Sequence, residues 1–409
     1  MRILIVSEDI PYPSMGGLAK HALNLARALI RAGHQVDILG GDQHPIDVSG
    51  EEGDFGGRFF GELNGQFAGW KEIQLGMFMP PRRTWLARHF ARIILRHAPG
   101  YEVIHYHGHV PNVARYIPAD VNFVQTRHDQ GSDCLIDIRF RNGEVCEATD
   151  PAVCATCRTP NPNVLQRAMS KASVVRFRSE VAQSFRRHKT VFVSEMLRRN
   201  FSRTLGSHPW GAVVHNFVDT GRLSNALQSV KPAPASDEFH VFIAGKLYPA
   251  KGVEPFLRTL VPQLRPNMHV TVAGDGPDEA RLRAEFENNQ IHFLGWCTSE
   301  KTLEMAATAN AIVVPSVWEE PCATTTFEGL LLGKPTFALA RGGTPELKIY
   351  AASVEQLRLH ATMELLVQDL ISLDPRTAYT PPGNGTGGAE HVVRELLEIY
   401  RLPPGHPIA

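Results

Sequence analysis

Short apolar runs recur along this chain, separated by longer stretches whose apolar positions fall three and four residues apart. The short runs lie at 2–6, 34–40, 103–106, 122–126, 190–193 and 212–214. They are bounded by polar or glycine residues and read as buried strands. Residues 18–31 carry apolar side chains at 22, 25, 26 and 29, the spacing of one helix face, and Gly33 ends that helix. A second set of strands follows at 241–244, 269–273, 291–293, 311–314 and 336–339. Strands alternating with helices predict an α/β protein with doubly wound parallel sheets.

Between the two sets, residues 222–237 lose periodicity and gain Pro, Ala and Ser, which reads as a linker. The expected organisation is an N-terminal Rossmann-like domain at 1–220, a C-terminal one at 221–385, and a last segment at 386–409. The helix in that segment is expected to pack back on the first domain. Two doubly wound halves would leave a cleft between them, where ligands bind. Residues 42–80 read as an irregular, glycine-rich surface excursion. Residues 82–97 interleave Trp85, Leu86, Phe90, Ile93 and Ile94 with arginines. That segment is either a helix covering the sheet with its cationic face in water, or a peripheral membrane contact on anionic lipid.

Composition narrows the function classes. The 409 residues are enough for two cores, and 42 basic against 42 acidic residues give no net field to attract nucleic acid. No apolar run reaches the ~18 residues of a membrane span. The start reads as a buried strand, not a leader, so the expected location is cytoplasmic, with the inner membrane face as the peripheral alternative.

Candidate chemistry concentrates at 313–346. A buried strand ends at Pro315, a polar loop carries Glu320, and a helix begins near Thr324 and carries Glu328. Two carboxylates beyond the carboxyl end of a parallel strand suit sugar or ribose hydroxyls, because carboxylates only accept hydrogen bonds. Lys246 and Lys251 follow the strand at 241–244, and two cations there suit a diphosphate. Gly16 and Gly17 sit between the first strand and first helix, where a backbone without Cβ atoms can approach a phosphate. His105, His107 and His109 alternate at the end of another strand. A metal bound by that run lacks a supporting carboxylate cluster.

Together these motifs resemble the retaining glycosyltransferases of family 4, which have the two-domain GT-B fold. Glu320 and Glu328 look like that family's E-x7-E pair, flanked by Pro315-Ser316 and Gly333-Lys334-Pro335. Residues 245–252 resemble its G-R-L-x-x-x-K-G segment, with Lys246 where arginine is usual. Gly274-Asp275-Gly276-Pro277, Gly295-Trp296-Cys297, Asn216-Phe217-Val218-Asp219 and Gly342-Gly343-Thr344-Pro345-Glu346 match further segments, Phe217 standing where glycine is usual. The resemblance implies transfer of a sugar from a nucleoside diphosphate sugar to an acceptor hydroxyl with retained anomeric configuration. It gives catalytic roles to His107, Glu320 and Lys251. It places the donor against Gly16, Gly17, Lys246, Lys251, Glu320, Cys322, Ala323, Thr324 and Glu328, and requires no cofactor for catalysis. His109 competes with His107 if the register is off by two. The acceptor (a saccharide, a lipid-linked glycan or a small molecule) carries no readable motif. A nucleotide-sugar epimerase and a non-catalytic sugar-nucleotide-binding partner are the alternatives.

Four of the six cysteines cluster: Cys134, Cys146, Cys154 and Cys157. The insertion they occupy, about 130–160, also carries Asn142-Gly143, a hairpin signal. Four thiolates could hold a structural zinc; buried unligated thiols and a redox pair remain open beside it.

Overall fold

The structure is a computed structural model that describes residues 1–11, 16–63, 80–157, 163–207, 211–219, 221, 223, 238–380 and 387–404. Most of the expected linker, Ser14 and Met15 of the first turn, and residues 381–386 lie outside these. The chain divides into two compact units. One comprises residues 1–139, 147–216 and 392–409, the other residues 140–146 and 217–391.

The first unit is built on a seven-stranded sheet with all neighbours parallel. In chain order its strands are β1 (Arg2–Val6), β2 (Gln35–Gly40), β3 (Phe59–Gly61), β4 (Val103–His107), β5 (Phe123–Arg127), β8 (Lys189–Phe192) and β9 (Ala212–Val213), arranged β3-β2-β1-β4-β5-β8-β9. β6 (Phe140–Arg141) and β7 (Glu144–Val145) form a separate antiparallel hairpin, with Asn142 and Gly143 both at positive φ in its turn. Every residue of β4 and β5 is buried, as expected for strands covered on both faces. The helix Gly17–Arg31 buries Ala22, Leu25, Ala26 and Leu29.

The helix Pro80–His97 buries Leu86, Phe90, Ile93 and Ile94 in the core of this unit, while Trp85 is 61% exposed. Its apolar face is therefore already occupied by protein, as the sheet-covering reading expects. Among the described residues no helix is long and apolar enough to cross a membrane.

Of the stretch 42–80, residues 64–79 lie outside the described residues, and 42–63 are less irregular than expected. Pro45–Ser49 is a short helix, and β3 adds an edge strand to β2. Two of the glycines there, Gly53 and Gly57, mark close packing: a Cβ on Gly57 would lie 2.0 Å from the Val36 carbonyl oxygen. Their density reads in sequence as loop because the packing partner is distant along the chain.

The second unit holds a six-stranded parallel sheet. Its strands are β10 (Phe239–Ala244), β11 (Met268–Ala273), β12 (Ile291–Gly295), β13 (Ala311–Val314), β14 (Thr336–Leu339) and β15 (Leu357–His360), in the order β12-β11-β10-β13-β14-β15. Val241, Val270, Val313 and Phe337 from four of these strands share one core with Leu257 and Leu366 from flanking helices. The last helix, Ala389–Arg401, lies with the first unit from Val392 onward. There the buried Tyr400 hydroxyl lies 2.6 Å from His105 Nδ1, and Lys189 Nζ donates to the Leu402 carbonyl.

Candidate active site

Each sheet reverses its strand order at one point, and in each unit candidate residues follow the strands beside it. In the second unit β11 and β12 lie to one side of β10, while β13, β14 and β15 lie to the other. The loops leaving β10 and β13 in opposite directions open a crevice at their carboxyl ends, where α/β proteins hold ligands. Lys251 follows β10 and Glu320 follows β13.

These two side chains meet. Lys251 Nζ lies 2.5 Å from Glu320 Oε1, and the Ser316 hydroxyl donates to the same oxygen at 2.6 Å. Glu320 is buried and Lys251 about a quarter exposed. Burial alone would raise the Glu320 pKa, but the Lys251 charge and the bonds from Lys251 and Ser316 outweigh it and hold it below 4.5. Burial likewise presses Lys251 down, and the charge of Glu320 keeps it above 10.5. The pair is ionised on both sides.

Backbone packing brings it about. Lys251 ends a turn, Pro249–Lys251, and Gly252 follows in the left-handed region at φ 71°. A Cβ on Gly252 would lie 2.0 Å from the Pro315 carbonyl oxygen, so only glycine lets this turn seat against the end of β13. The Val317 amide donates to the Ala250 carbonyl at 3.0 Å, tying the same two loops. From the other side the Gly343 amide donates to the Glu320 carbonyl at 2.7 Å. Gly342, at φ 63°, has space for no Cβ: one would lie 2.5 Å from both the amide nitrogen and carbonyl oxygen of Glu320. The glycines of this segment thus pack on the Glu320 loop itself.

Beyond Glu320 the helix Thr324–Leu331 starts at Ala323 without a side-chain cap. Its first amides therefore lack a side-chain acceptor, the arrangement that favours an anion. Cys322 is buried beside this start, and Ala323, Thr324 and Glu328 are half-buried. Lys246 is exposed. The Gly245–Leu247 loop is held from below by Gly274 and Gly276, whose added Cβ atoms would collide with the carbonyl oxygens of Gly245 and Leu247.

The first unit repeats the plan. Its order reverses between β1 and β4. Gly16 and Gly17 follow β1, and His107 ends β4. A Cβ on either glycine meets no described atom within 4 Å, and neither has a positive φ. His107 is fully buried, with Nδ1 2.9 Å from His128 Nε2 and no partner for Nε2 among the described residues. Burial, then the neighbouring histidines, hold it neutral, well below 6.5.

The other two histidines of the run separate. His105 uses both ring nitrogens, on Tyr400 and on Thr126 Oγ1 at 2.7 Å, and is a core residue. His109, beyond the strand end, lies between Asp129 at 2.7 Å and Asp9 at 3.0 Å. Burial opposes its charge, but the two carboxylates win and raise its pKa well above 6.5. Sequence reading missed Asp9, Asp129, His21 and His128 because each reaches the site from another strand or helix. The available signal was position: Asp9 follows β1, while His128 and Asp129 follow β5.

Among the described residues the cysteines form no group of three or more ligand atoms lying together. Among the described residues the one group of three or more metal-ligating side chains is His21, His107 and His128. Burial pushes the Cys134 thiol up to about 12. Cys154 Sγ accepts from Arg178 at 3.2 Å.

The model of Glycosyltransferase Family 4 matches residues 15–222, just over half of the chain. The chain belongs to that family. The model of Glycosyl transferases group 1 matches residues 238–361 of this glycosyltransferase. An uncharacterized glycosyltransferase of Methanocaldococcus jannaschii is 21% identical over 85% of the chain and 82% of its own length. Among solved structures, sucrose-phosphate synthase from Thermosynechococcus elongatus is 18% identical with a TM-score of 0.64, covering 98% of each chain. HepE of Anabaena, solved in complex with UDP, is 16% identical with a TM-score of 0.61, covering 97% of this chain and 99% of its own. The fold of this glycosyltransferase is GT-B, and it is a transferase.

Proposed function

We propose that this glycosyltransferase moves a sugar from a nucleoside diphosphate sugar to an acceptor hydroxyl with retention of anomeric configuration. The Lys251–Glu320 pair at the strand-order reversal of the second unit carries the reading. Lys251 is held cationic by Glu320 while its side chain stays about a quarter exposed, with donors to spare for a diphosphate oxygen. Lys246 adds a second, exposed cation, and the uncapped amides at 323–325 a third donor group. Together these stabilise the negative charge that grows on the diphosphate as the glycosidic bond breaks. Glu320 and Glu328 accept from sugar and ribose hydroxyls, and Gly16 and Gly17 admit the donor's phosphates to the first helix. His107 faces the donor sugar as a neutral imidazole.

HepE has also been solved with UDP and glucose and with UDP-glucose, which supports a nucleoside diphosphate sugar as donor here. The carboxylate at the reversal is already bound by a lysine and a serine, which makes it a poor nucleophile. That favours front-face transfer, with the leaving oxygen assisting acceptor deprotonation, over a double displacement. Once a donor and acceptor pair is found, the test is the anomeric coupling constant of the first product formed, read by NMR before mutarotation. A retained configuration is expected; an inverted one overturns the mechanism.

A further inference from the structure

We propose that His21, His107 and His128 form a binding site for a borderline transition-metal ion of the zinc class. One ligand atom from each of the three imidazoles falls within 4.8 Å of the others. His21 and His107 are buried and His128 half-buried. The ring centroids of His21 and His128 are 4.7 Å apart, those of His21 and His107 5.6 Å, and those of His107 and His128 5.2 Å.

Three separate elements supply them: the helix Gly17–Arg31, the end of β4, and the residue after β5. None of the three is a neighbour of another in sequence, so no single helix or strand face accounts for the convergence. A tetrahedral zinc with N ligands at ~2.1 Å needs its ligand atoms roughly 3.4 Å apart, which small ring rotations supply from the present spacing. Three neutral nitrogen donors without a carboxylate suit zinc, cobalt or nickel and do not suit magnesium or calcium. Arg127, nearby and buried, is paired with Asp129 at 3.7 Å, which offsets its charge. His105 is excluded as a ligand because Tyr400 and Thr126 engage both its nitrogens.

His107 is also the imidazole that faces the donor sugar in the function proposed above, and the inference adds to that reading.

The test is Co2+ titration of the metal-stripped full-length protein, followed by its visible absorption. A histidine site gives tetrahedral d–d bands with one equivalent bound and without the near-ultraviolet thiolate charge-transfer band. The bands survive alkylation of the cysteines, Zn2+ displaces the cobalt, and His21→Ala and His128→Ala each weaken binding at least tenfold. Hydrogen–deuterium exchange on each variant checks that it is folded. A thiolate band, loss of binding on alkylation, or no saturable binding by the folded wild type overturns the site. Donor binding is measured separately on metal-free protein, so failure here leaves the proposed transfer reaction to its own test.

Discussion

Lys251 and Glu320, sixty-nine residues apart in sequence, form an ion pair at 2.5 Å beyond the ends of two adjacent strands. Each fixes the charge of the other, and each is shielded from water enough that losing its partner is costly. Replacing either residue alone by alanine is expected to destabilise the protein by roughly 3 kcal/mol, most of it from stranding the remaining charge. Replacing both is expected to cost less than the sum. A double-mutant cycle in urea measures this, and additive losses would remove the pair as a unit.

The same pair sets a pH window. Glu320 titrates below its ordinary 4.5, so its contribution is present above that value and fades as pH falls through the lowered one. Lys251 titrates above 10.5, so its contribution is complete below that value and fades as pH rises beyond it. The stability difference between wild type and a Lys251→Met, Glu320→Gln double variant should therefore be flat from pH 5 to 10. It should shrink toward either extreme, as urea midpoints across that range would record.

Gly252 and Gly342 hold the two loops that carry the pair. Gly252→Ala must accommodate both a left-handed backbone and a Cβ 2.0 Å from the Pro315 oxygen. A loss of about 1–3 kcal/mol is expected, with a larger proportional loss of transfer because Lys251 moves. Gly342→Ala should act similarly through Glu320. Alanine at Gly33, also at positive φ but with open space around it, serves as the control for backbone strain alone.

Tyr400→Phe removes the hydroxyl beside His105 Nδ1 and leaves a buried ring nitrogen without that partner. About 1–2 kcal/mol of stability should be lost, with faster amide exchange in the helix Ala389–Arg401. Donor affinity should not change. A change in donor affinity alone would argue that His105 serves the site.

Lys189 gives a stability signature of the opposite sign. It is buried beside Asn122 and the Leu402 carbonyl, and burial lowers its pKa from 10.5 to about 8. Between those values the unfolded chain holds more protons than the folded one, so stability rises as pH rises from 8 to 10.5. Lys189→Met should abolish that rise in a thermal melt series.

Much of the fold was legible because each strand is a short apolar run bounded by polar or glycine residues. β13 and β14 were read to the residue, since Ala311–Val314 and Thr336–Leu339 are buried throughout and their pattern has one interpretation. β3 and β15 were not foreseen. Phe59-Phe60-Gly61 is too short for a pattern, and Leu357–His360 carries arginine and histidine, which pair with Asp369 in the folded chain. Within the site, Lys251 and Glu320 were legible as separate charges, and their union was not. It depends on Gly252 against Pro315 and on Val317 against Ala250, contacts between loops far apart in sequence. The histidine run misled in part: alternation holds for His105 and His107, and the strand ends before His109 turns to Asp9 and Asp129. Among the described residues, the metal-ligating side chains that converge are three histidines scattered through the sequence, which spacing alone does not reveal.

The most direct test of a donor site at this reversal is a thermal-shift panel of nucleoside diphosphate sugars on wild type and on Lys251→Ala. Ligand that binds the folded state alone raises the melting temperature according to its concentration over Kd. At least one nucleotide sugar should stabilise the wild type, with its Kd raised tenfold or more in Lys251→Ala. Equal stabilisation of both proteins by the same nucleotide sugar would contradict a donor site at Lys251 and Glu320.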